Sequence, residues 1–309
     1  MMRILISGST GFLGTPLVRK LQERGQTVVR LARPVTTRKS VPGDGMQTVS
    51  WDPIAGKLDA AGAEGADALV HLAGASIADE RWSAERKEQL RTSRVDATRQ
   101  LMGALANLRK PPRVIVGASA IGYYGNRGEE TLTERSAPGN DFLAGVCREW
   151  EAETARGAEF GARVVSLRLG IILAAHGGAL QKMLLPFKLG VGGRLGNGQQ
   201  WMSWITLTEV INIIQFALTA SELSGPVNTV APNPVRNMEF TRVLAKALHR
   251  PALFPAPPFA LRLALGEMAD ALLLSSARVM PVKLADSGYQ FVQPELPAAL
   301  WDIFPNLNQ

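Results

Sequence analysis

One heptapeptide constrains this chain more than any other stretch: Gly8-Ser9-Thr10-Gly11-Phe12-Leu13-Gly14. The apolar run Ile4 to Ile6 precedes it and helix-spaced Leu17, Val18 and Leu21 follow, so the order reads buried strand, glycine turn, helix. Gly8 permits the tight turn, Gly11 lets backbone approach a phosphate, and Gly14 lets the helix close on the strand. The helix then presents its free N–H groups and the positive end of its dipole to whatever lies over the turn. A dinucleotide pyrophosphate needs this order of elements, and Gly8 through Gly14 are read as its cradle.

The chain has 309 residues, 46% of them hydrophobic and 20% charged, which is enough apolar content for a large core. The formal net charge is +7, but the 34 basic residues are spread along the chain, with no dense basic run carrying interleaved aromatics. That distribution argues against a nucleic-acid face and suits a basic surface that attracts phosphorylated small molecules. The single cysteine, Cys147, rules out an internal disulfide or a thiolate metal cluster and fits a reducing compartment. His71, His176 and His249 lack metal-ligand spacing, so no metal is expected. No stretch reaches the roughly 20 apolar residues of a membrane span, and no signal peptide precedes the first strand. The expectation is a cytoplasmic protein whose partner is a small-molecule substrate, with no nucleic acid and no membrane, and with a homodimer left open.

Strand and helix patterns alternate after the motif. Residues 27–31, 48–51, 68–72, 114–116 and 164–169 read as strands. Between them lie helical stretches, one running from a Ser83 cap to Leu108 and another over 142–156. This alternation predicts an α/β fold with a doubly wound parallel sheet and right-handed crossovers. Glycines then crowd residues 176–204, which read as a glycine-rich cap segment. Helices over 205–218 and 237–248 flank a strand over 226–230. Pro251, Pro255, Pro257 and Pro258 form a stiff linker into an amphipathic helix over 259–274, with irregular sequence beyond it. A nucleotide-binding domain over 1–236 and a smaller C-terminal lobe over 237–309 are the expected division.

The end of the second strand chooses the cofactor. An Asp or Glu there accepts hydrogen bonds from the ribose 2′-hydroxyl of NAD. This chain reads Leu31-Ala32-Arg33, with no carboxylate between Gln26 and Lys39. Arg33 suits stacking on adenine and pairing with a 2′-phosphate, and Arg38 and Lys39 add positive charge. NADP(H), with NADPH as its reduced form, is the expected cofactor.

With these residues in view, the chain resembles an extended short-chain dehydrogenase/reductase. Residues 8–14 match that superfamily's cofactor loop, His71-Leu72-Ala73-Gly74 its segment beside the adenine ribose, and Ser119-Ala120 its active-site serine turn. More specifically, it is similar to an atypical epimerase-like branch named for nucleoside-diphosphate-sugar epimerases or a SulA-type cell-division inhibitor. Trp51-Asp52-Pro53, Ser93-Arg94, residues 119–125, Asp141-Phe142-Leu143 with Trp150-Glu151, and residues 185–187 through Trp204-Ile205 carry that likeness. The tail, 255–300, is similar to the branch's C-terminal domain of unknown function.

The resemblance implies an NAD(P)-binding Rossmann fold in which Leu72, Ala73, Gly74 and Arg94 contact the cofactor. It also implies that Ser119 faces a substrate oxygen and that Gln199, Trp201, Ser203 and Trp204 close over the substrate. One departure matters for chemistry. Typical members carry a Tyr and, four residues on, a Lys, the pair that moves the hydroxyl proton. The corresponding stretch here, residues 142–148, has neither. Tyr123 and Tyr124 are the candidate replacements as proton donors beside Ser119. The leading expectation is an NADP(H)-dependent oxidoreductase or epimerase of a small polar substrate, with sugars among the candidates. The alternative is a non-catalytic NADP(H)-binding sensor or regulator.

Overall fold

The computed structural model describes residues 1–34 and 46–305. Its centre is an eight-stranded sheet built from β1 (Arg3–Ser7), β2 (Thr27–Ala32), β3 (Gln47–Asp52), β4 (Lys57–Leu58), β5 (Ala68–His71), β6 (Val114–Ala120), β7 (Arg163–Leu169) and β8 (Gly225–Thr229). The spatial order is β8-β7-β6-β5-β1-β2-β3-β4. Every neighbouring pair is parallel except β3 with β4. The chain therefore winds outward from β1 in both directions, and β1 and β5 flank the point where the winding reverses. In sheets of this kind a crevice opens there, beyond the carboxyl ends of the strands.

Strand alternation divides the core. Ile4 and Ile6 of β1 pack with Leu17 of α1 (Gly14–Glu23) and with Ile213 and Ile214 of the helix Leu207–Thr219. Leu5 between them points to the opposite face, against Leu101 and Leu105. Both sheet faces are covered, which is why the strands read as almost continuous apolar runs.

The stretch expected as one helix from Ser83 is two, α2 (Ala84–Thr92) and α3 (Val95–Ala106). The Ser83 side chain does cap the first, accepting from the Arg86 amide at 3.1 Å. The break falls at Ser93, whose hydroxyl donates back to the Leu90 carbonyl and accepts from the Ala75 amide at 3.1 Å. Such local side-chain bonds compete with helix propagation. Downstream lies α4 (Phe142–Ala155). The glycine-dense segment holds a helix of its own, α5 (Gly178–Lys188). It packs with the helix Asn237–Leu248 and with a further helix, Leu296–Ile303, around Trp204, Phe240, Leu244 and Leu300.

Two readings of the tail are corrected. The helix expected over 259–274 is broken rather than continuous: Pro258–Leu265 ends where Gly266 takes a φ of +64°, a left-handed value, and helical turns resume over Glu267–Ala269 and Asp270–Leu274. The stretch read as irregular contains the helix Leu296–Ile303.

Candidate dinucleotide-binding cleft

The carboxyl ends of β1, β2, β5 and β6 open into one continuous cleft of about 2600 Å³. The glycine turn lines one end of it. Gly8 has φ +72°, and a Cβ there would stand 2.9 Å from the Ala73 amide nitrogen, so the turn lies against the β5 segment Leu72-Ala73. Gly14 is more crowded: its Cβ would stand 2.1 Å from the Gly8 carbonyl oxygen and 2.7 Å from Ser9 Cα. The third glycine thus seats the helix on the turn itself rather than on the strand. Gly11 is the more open position, its Cβ meeting only the Gly8 oxygen at 3.2 Å. No side chain caps the start of α1, and no acidic residue lies in its first turn. The Thr15 amide of that turn donates to the Gly11 carbonyl at 3.0 Å and Pro16 has no N–H, so the amides that suit an anion are those just before it, at Phe12, Leu13 and Gly14. The turn, its open amides and the cleft above them therefore fit a dinucleotide, with Ser9, Thr10, Gly11, Phe12 and Leu13 all on the cleft wall.

Three further groups shape this end. Arg33 lies exposed on the wall just beyond β2, as expected, while Arg38 and Lys39 fall outside the described residues. Arg30, which the sequence reading passed over, is buried beneath the turn and donates from Nε to Ser9 Oγ at 3.2 Å. The signal was present: a lone charge inside the Val-Val-Arg-Leu run of a parallel strand needs a polar reason to be there. His71 is fully buried at the end of β5. Ser7 Oγ accepts from the Ala73 amide at 3.3 Å and bonds His71 Nδ1 at 2.6 Å, and His71 Nε2 bonds Thr98 Oγ1 at 2.9 Å, so both ring nitrogens are satisfied by hydroxyls. Burial holds this imidazole neutral, lowering its pKa to about 4.

Arg94 and Gly74 both line the cleft. Arg94 donates to the Ala75 carbonyl at 2.9 Å and the Leu90 carbonyl at 3.1 Å, and its guanidinium lies 5.4 Å from the centre of the Trp150 ring. With Ser93 it grips both polar atoms of Ala75, fixing the loop after β5. Gly177 and Gly178 sit on the Phe12 ring, where a Cβ would come within 2.7 and 2.9 Å. Lys182 of α5 donates to the Ala78 carbonyl and pairs with Asp79 at 3.3 Å, so the glycine-rich cap is strapped across the cleft to the β5 loop.

The expected catalytic hydroxyls are not brought to the cleft, and this corrects the sequence reading. Ser119 is 2% exposed and donates to Glu151 Oε1 at 2.6 Å. Tyr124 has no exposed surface; its hydroxyl accepts from Arg168 Nη1 at 2.9 Å and faces Asn228 Oδ1 at 2.6 Å. Burial pushes the Tyr124 hydroxyl up to about 12 against the pull of Arg168. The Tyr123 ring packs on Arg168, 3.4 Å from guanidinium carbon to ring centre. None of the three lines the cleft, because β6 turns there and presents Ala120, Ile121 and Gly122 instead. Glu151, Arg168 and Asn228 form a buried polar network that the sequence reading had not assembled.

Of the four residues expected to close over a substrate, Trp201 and Ser203 lie on the wall, and Gln199 and Trp204 do not. Gln199 is exposed, offering only its carbonyl to Arg236. Trp204 is a core residue whose indole N–H donates to the Asn233 carbonyl at 3.0 Å. Trp201 donates to Glu129 and is flanked by Arg236 and Arg278, each 4.7 Å from the ring centre.

Comparison with known proteins agrees with this geometry. The model of the NAD dependent epimerase/dehydratase family matches residues 4–230, and a domain of unknown function, DUF1731, matches residues 256–303. Epimerase family protein Mb2239 of Mycobacterium bovis is 38% identical over 297 residues, covering 96% of each chain. The crystal structure of human epimerase family protein SDR39U1 (isoform 2) with NADPH superposes with a TM-score of 0.88 at 35% identity, covering 99% of this chain and 100% of that one. The nucleoside-diphosphate sugar epimerase from Corynebacterium glutamicum gives a TM-score of 0.79 at 35% identity, covering 98% of this chain and 58% of that one. No helix among the described residues is long and apolar enough to cross a membrane.

Proposed function

The chain belongs to the NAD dependent epimerase/dehydratase family, and on that premise we propose that it is an NADPH-dependent oxidoreductase acting on a second small molecule. The extent of the cleft supports this reading best. At about 2600 Å³ it far exceeds the roughly 300–1,000 Å³ of an ordinary ligand pocket, and it runs on past Ala120–Gly122. A site serving the dinucleotide alone has no need of that room.

The choice of NADPH rests on Arg33 at the β2 end, on the lack of a carboxylate from Gln26 to Pro34, and on the human relative's having been solved with NADPH. In this reading the turn 8–14 holds the pyrophosphate, Leu72 to Gly74 adjoin the adenosine ribose, and Arg33 takes the 2′-phosphate. When bound, the reduced dinucleotide supplies a hydride to a carbonyl carbon, and the carbonyl oxygen takes a proton from water to give the alcohol. Ile121 and Leu143 present an apolar surface at the β6 end and orient the reacting groups by packing. Ser119 and Tyr124 keep their protons inside the buried network.

A second reading, a cofactor-binding sensor, is favoured by that same sealing of Ser119 and Tyr124 and by the missing Tyr and Lys. Mixing the protein with C4-deuterated NADPH and a panel of aldehydes and ketones separates the two. Deuterium in an alcohol product supports the enzyme. Tight NADPH binding without transfer to any acceptor supports the sensor.

A further inference from the structure

Beyond the β6 edge the cleft changes character, and we propose that its inner chamber binds an apolar molecule rather than a nucleotide sugar. This inference rests on the preceding reading only in giving the other end of the cleft to the dinucleotide. It replaces the polar substrate anticipated from the sequence.

Among the described residues, every cleft-lining side chain from Met183 to Ala277 is uncharged. Three helices each contribute a pair spaced four apart, and so on one face: Met183 with Phe187, Leu261 with Leu265, and, as a floor buried in the core behind them, Phe240 with Leu244. Of the polar side chains in the same stretch, the Thr241 and Ser275 hydroxyls are neutral, and Ser203 and Asn237 are already engaged. Ser203 donates to the Ala277 carbonyl at 2.8 Å and accepts from the Val279 amide at 2.9 Å. Asn237 accepts from the Leu195 amide at 2.8 Å through Oδ1, and its Nδ2 lies 3.3 Å from Met202 Sδ. A diphosphate placed here would lose its hydration, and the cations that flank this wall, Arg236 and Arg278, are stacked on the Trp201 ring, Arg236 also paired with Glu129, so the cost is poorly compensated.

The helix Pro258–Leu265 points the same way. Arg262 is its one charged residue, yet none of its eight residues is buried. An amphipathic helix normally covers its apolar stripe, and here Leu261 and Leu265 turn theirs to the chamber. The apolar lining reaches the surface at Val191 and Phe254, 54% and 59% exposed, so the entrance has the same chemistry. The lining fits a molecule with a hydrocarbon body.

Fluorescence titration with Nile red, a neutral dye that brightens in apolar surroundings, tests this. The bound dye is then displaced by methyl ketones of increasing chain length and, separately, by UDP-glucose. The expected result is displacement by the ketones, tightening about four-fold per added CH₂, and none by UDP-glucose. The double variant Leu261→Gln/Leu265→Gln, altered only at partly exposed positions, should bind the longer ketones at least about tenfold more weakly with NADPH affinity unchanged. Displacement by UDP-glucose but not by ketones, or ketone affinity indifferent to chain length, overturns the proposal. Ketone binding by a protein that fails to bind NADPH upholds the chamber and overturns the cofactor reading instead, so the two fail separately.

Discussion

Glu151 and Arg168 face each other fork to fork, both carboxylate oxygens accepting from the guanidinium at 2.8 Å, with Arg168 only 3% and Glu151 13% exposed. This pair explains why the expected catalytic hydroxyls are absent from the cleft. Ser119 donates into it from β6, and Arg168 reaches on to the Tyr124 hydroxyl. Although burial works against it, the Glu151 carboxylate holds the Arg168 guanidinium above its usual range. The network fastens β6, α4 and β7 to one another beneath the cleft floor.

The first prediction follows from that geometry. Arg168→Leu leaves Glu151 buried without its partner and should destabilise the fold by about 3–5 kcal/mol. The double variant Arg168→Met/Glu151→Leu should recover most of the loss, because paired removal leaves no orphan charge. Tyr124→Phe should cost about 1–3 kcal/mol through the acceptor it strands on Asn228. Urea unfolding gives all three values. NADPH affinity of the folded variants should stay at the wild-type level, and a selective loss of affinity would return Tyr124 to the cleft.

His71 sets an acid limit. Its pKa is about 4 in the fold against 6.5 when unfolded, lowered by burial, so between those values the unfolded chain binds the extra proton. Stability from this site is complete above pH 6.5 and is lost as pH falls toward 4, at about 1.4 kcal/mol per unit for one proton. His71→Asn should flatten that part of the curve. Chemical denaturation across the interval measures the slope, and an unchanged slope in the variant would show that other groups titrate there.

The strands, the turn at 8–14 and the Ser83 cap were legible because each obeys a local rule: a short apolar run in a strand buried on both faces, positive φ at a glycine, a side-chain acceptor three residues before an amide. The departures are non-local. Nothing near Tyr124 in sequence announces Asn228, 104 residues away. Trp204 and Trp201 look alike in a Trp-Met-Ser-Trp run, and three positions apart they take opposite sides of the extended chain, but which side becomes core and which becomes wall is set by elements distant in sequence. The chamber was illegible for the same reason: its three helix pairs lie far apart in the chain and meet only in the fold.

The glycines can be separated by what crowds them. Gly14→Ala places a Cβ 2.1 Å from a backbone oxygen, so the turn must shift even without ligand, and thermal stability should fall. At Gly11 an added Cβ meets only the Gly8 oxygen, at 3.2 Å, so Gly11→Val should leave circular dichroism native. Its side chain would instead fill the space a pyrophosphate needs, abolishing NADPH binding. A folded Gly11→Val protein that still binds NADPH would show that the ligand does not rest on this turn.

Cys147 should be chemically silent. It is buried in α4, and burial pushes its thiol up to about 12, so almost no thiolate exists near neutral pH. Ellman's reagent should label it only at the rate of unfolding, and Cys147→Ser should leave NADPH affinity unchanged. Fast labelling of the folded protein would show instead that the thiol is open to solvent.

Cofactor choice is the sharpest test of the site. NADPH should bind at least about tenfold tighter than NADH, since a charge-assisted hydrogen bond contributes about 1.5–3 kcal/mol and tenfold requires only about 1.4. Both Arg33 and Arg30 lie on the cleft wall, and Arg33 is the candidate because it stands exposed at the β2 end, whereas Arg30 is buried and bonded to Ser9. Arg33→Ala should therefore weaken NADPH and leave NADH nearly untouched, erasing most of the preference. An exposed ion pair is also screened by salt, so the preference should shrink as ionic strength rises while NADH affinity changes little. Fluorescence titration of both cofactors at two salt concentrations reads every term. Equal affinities in the wild-type protein would mean that Arg33 is only a solvated surface charge. A preference that survives both Arg33→Ala and high salt would move the 2′-phosphate inward, to the buried Arg30 beneath the turn.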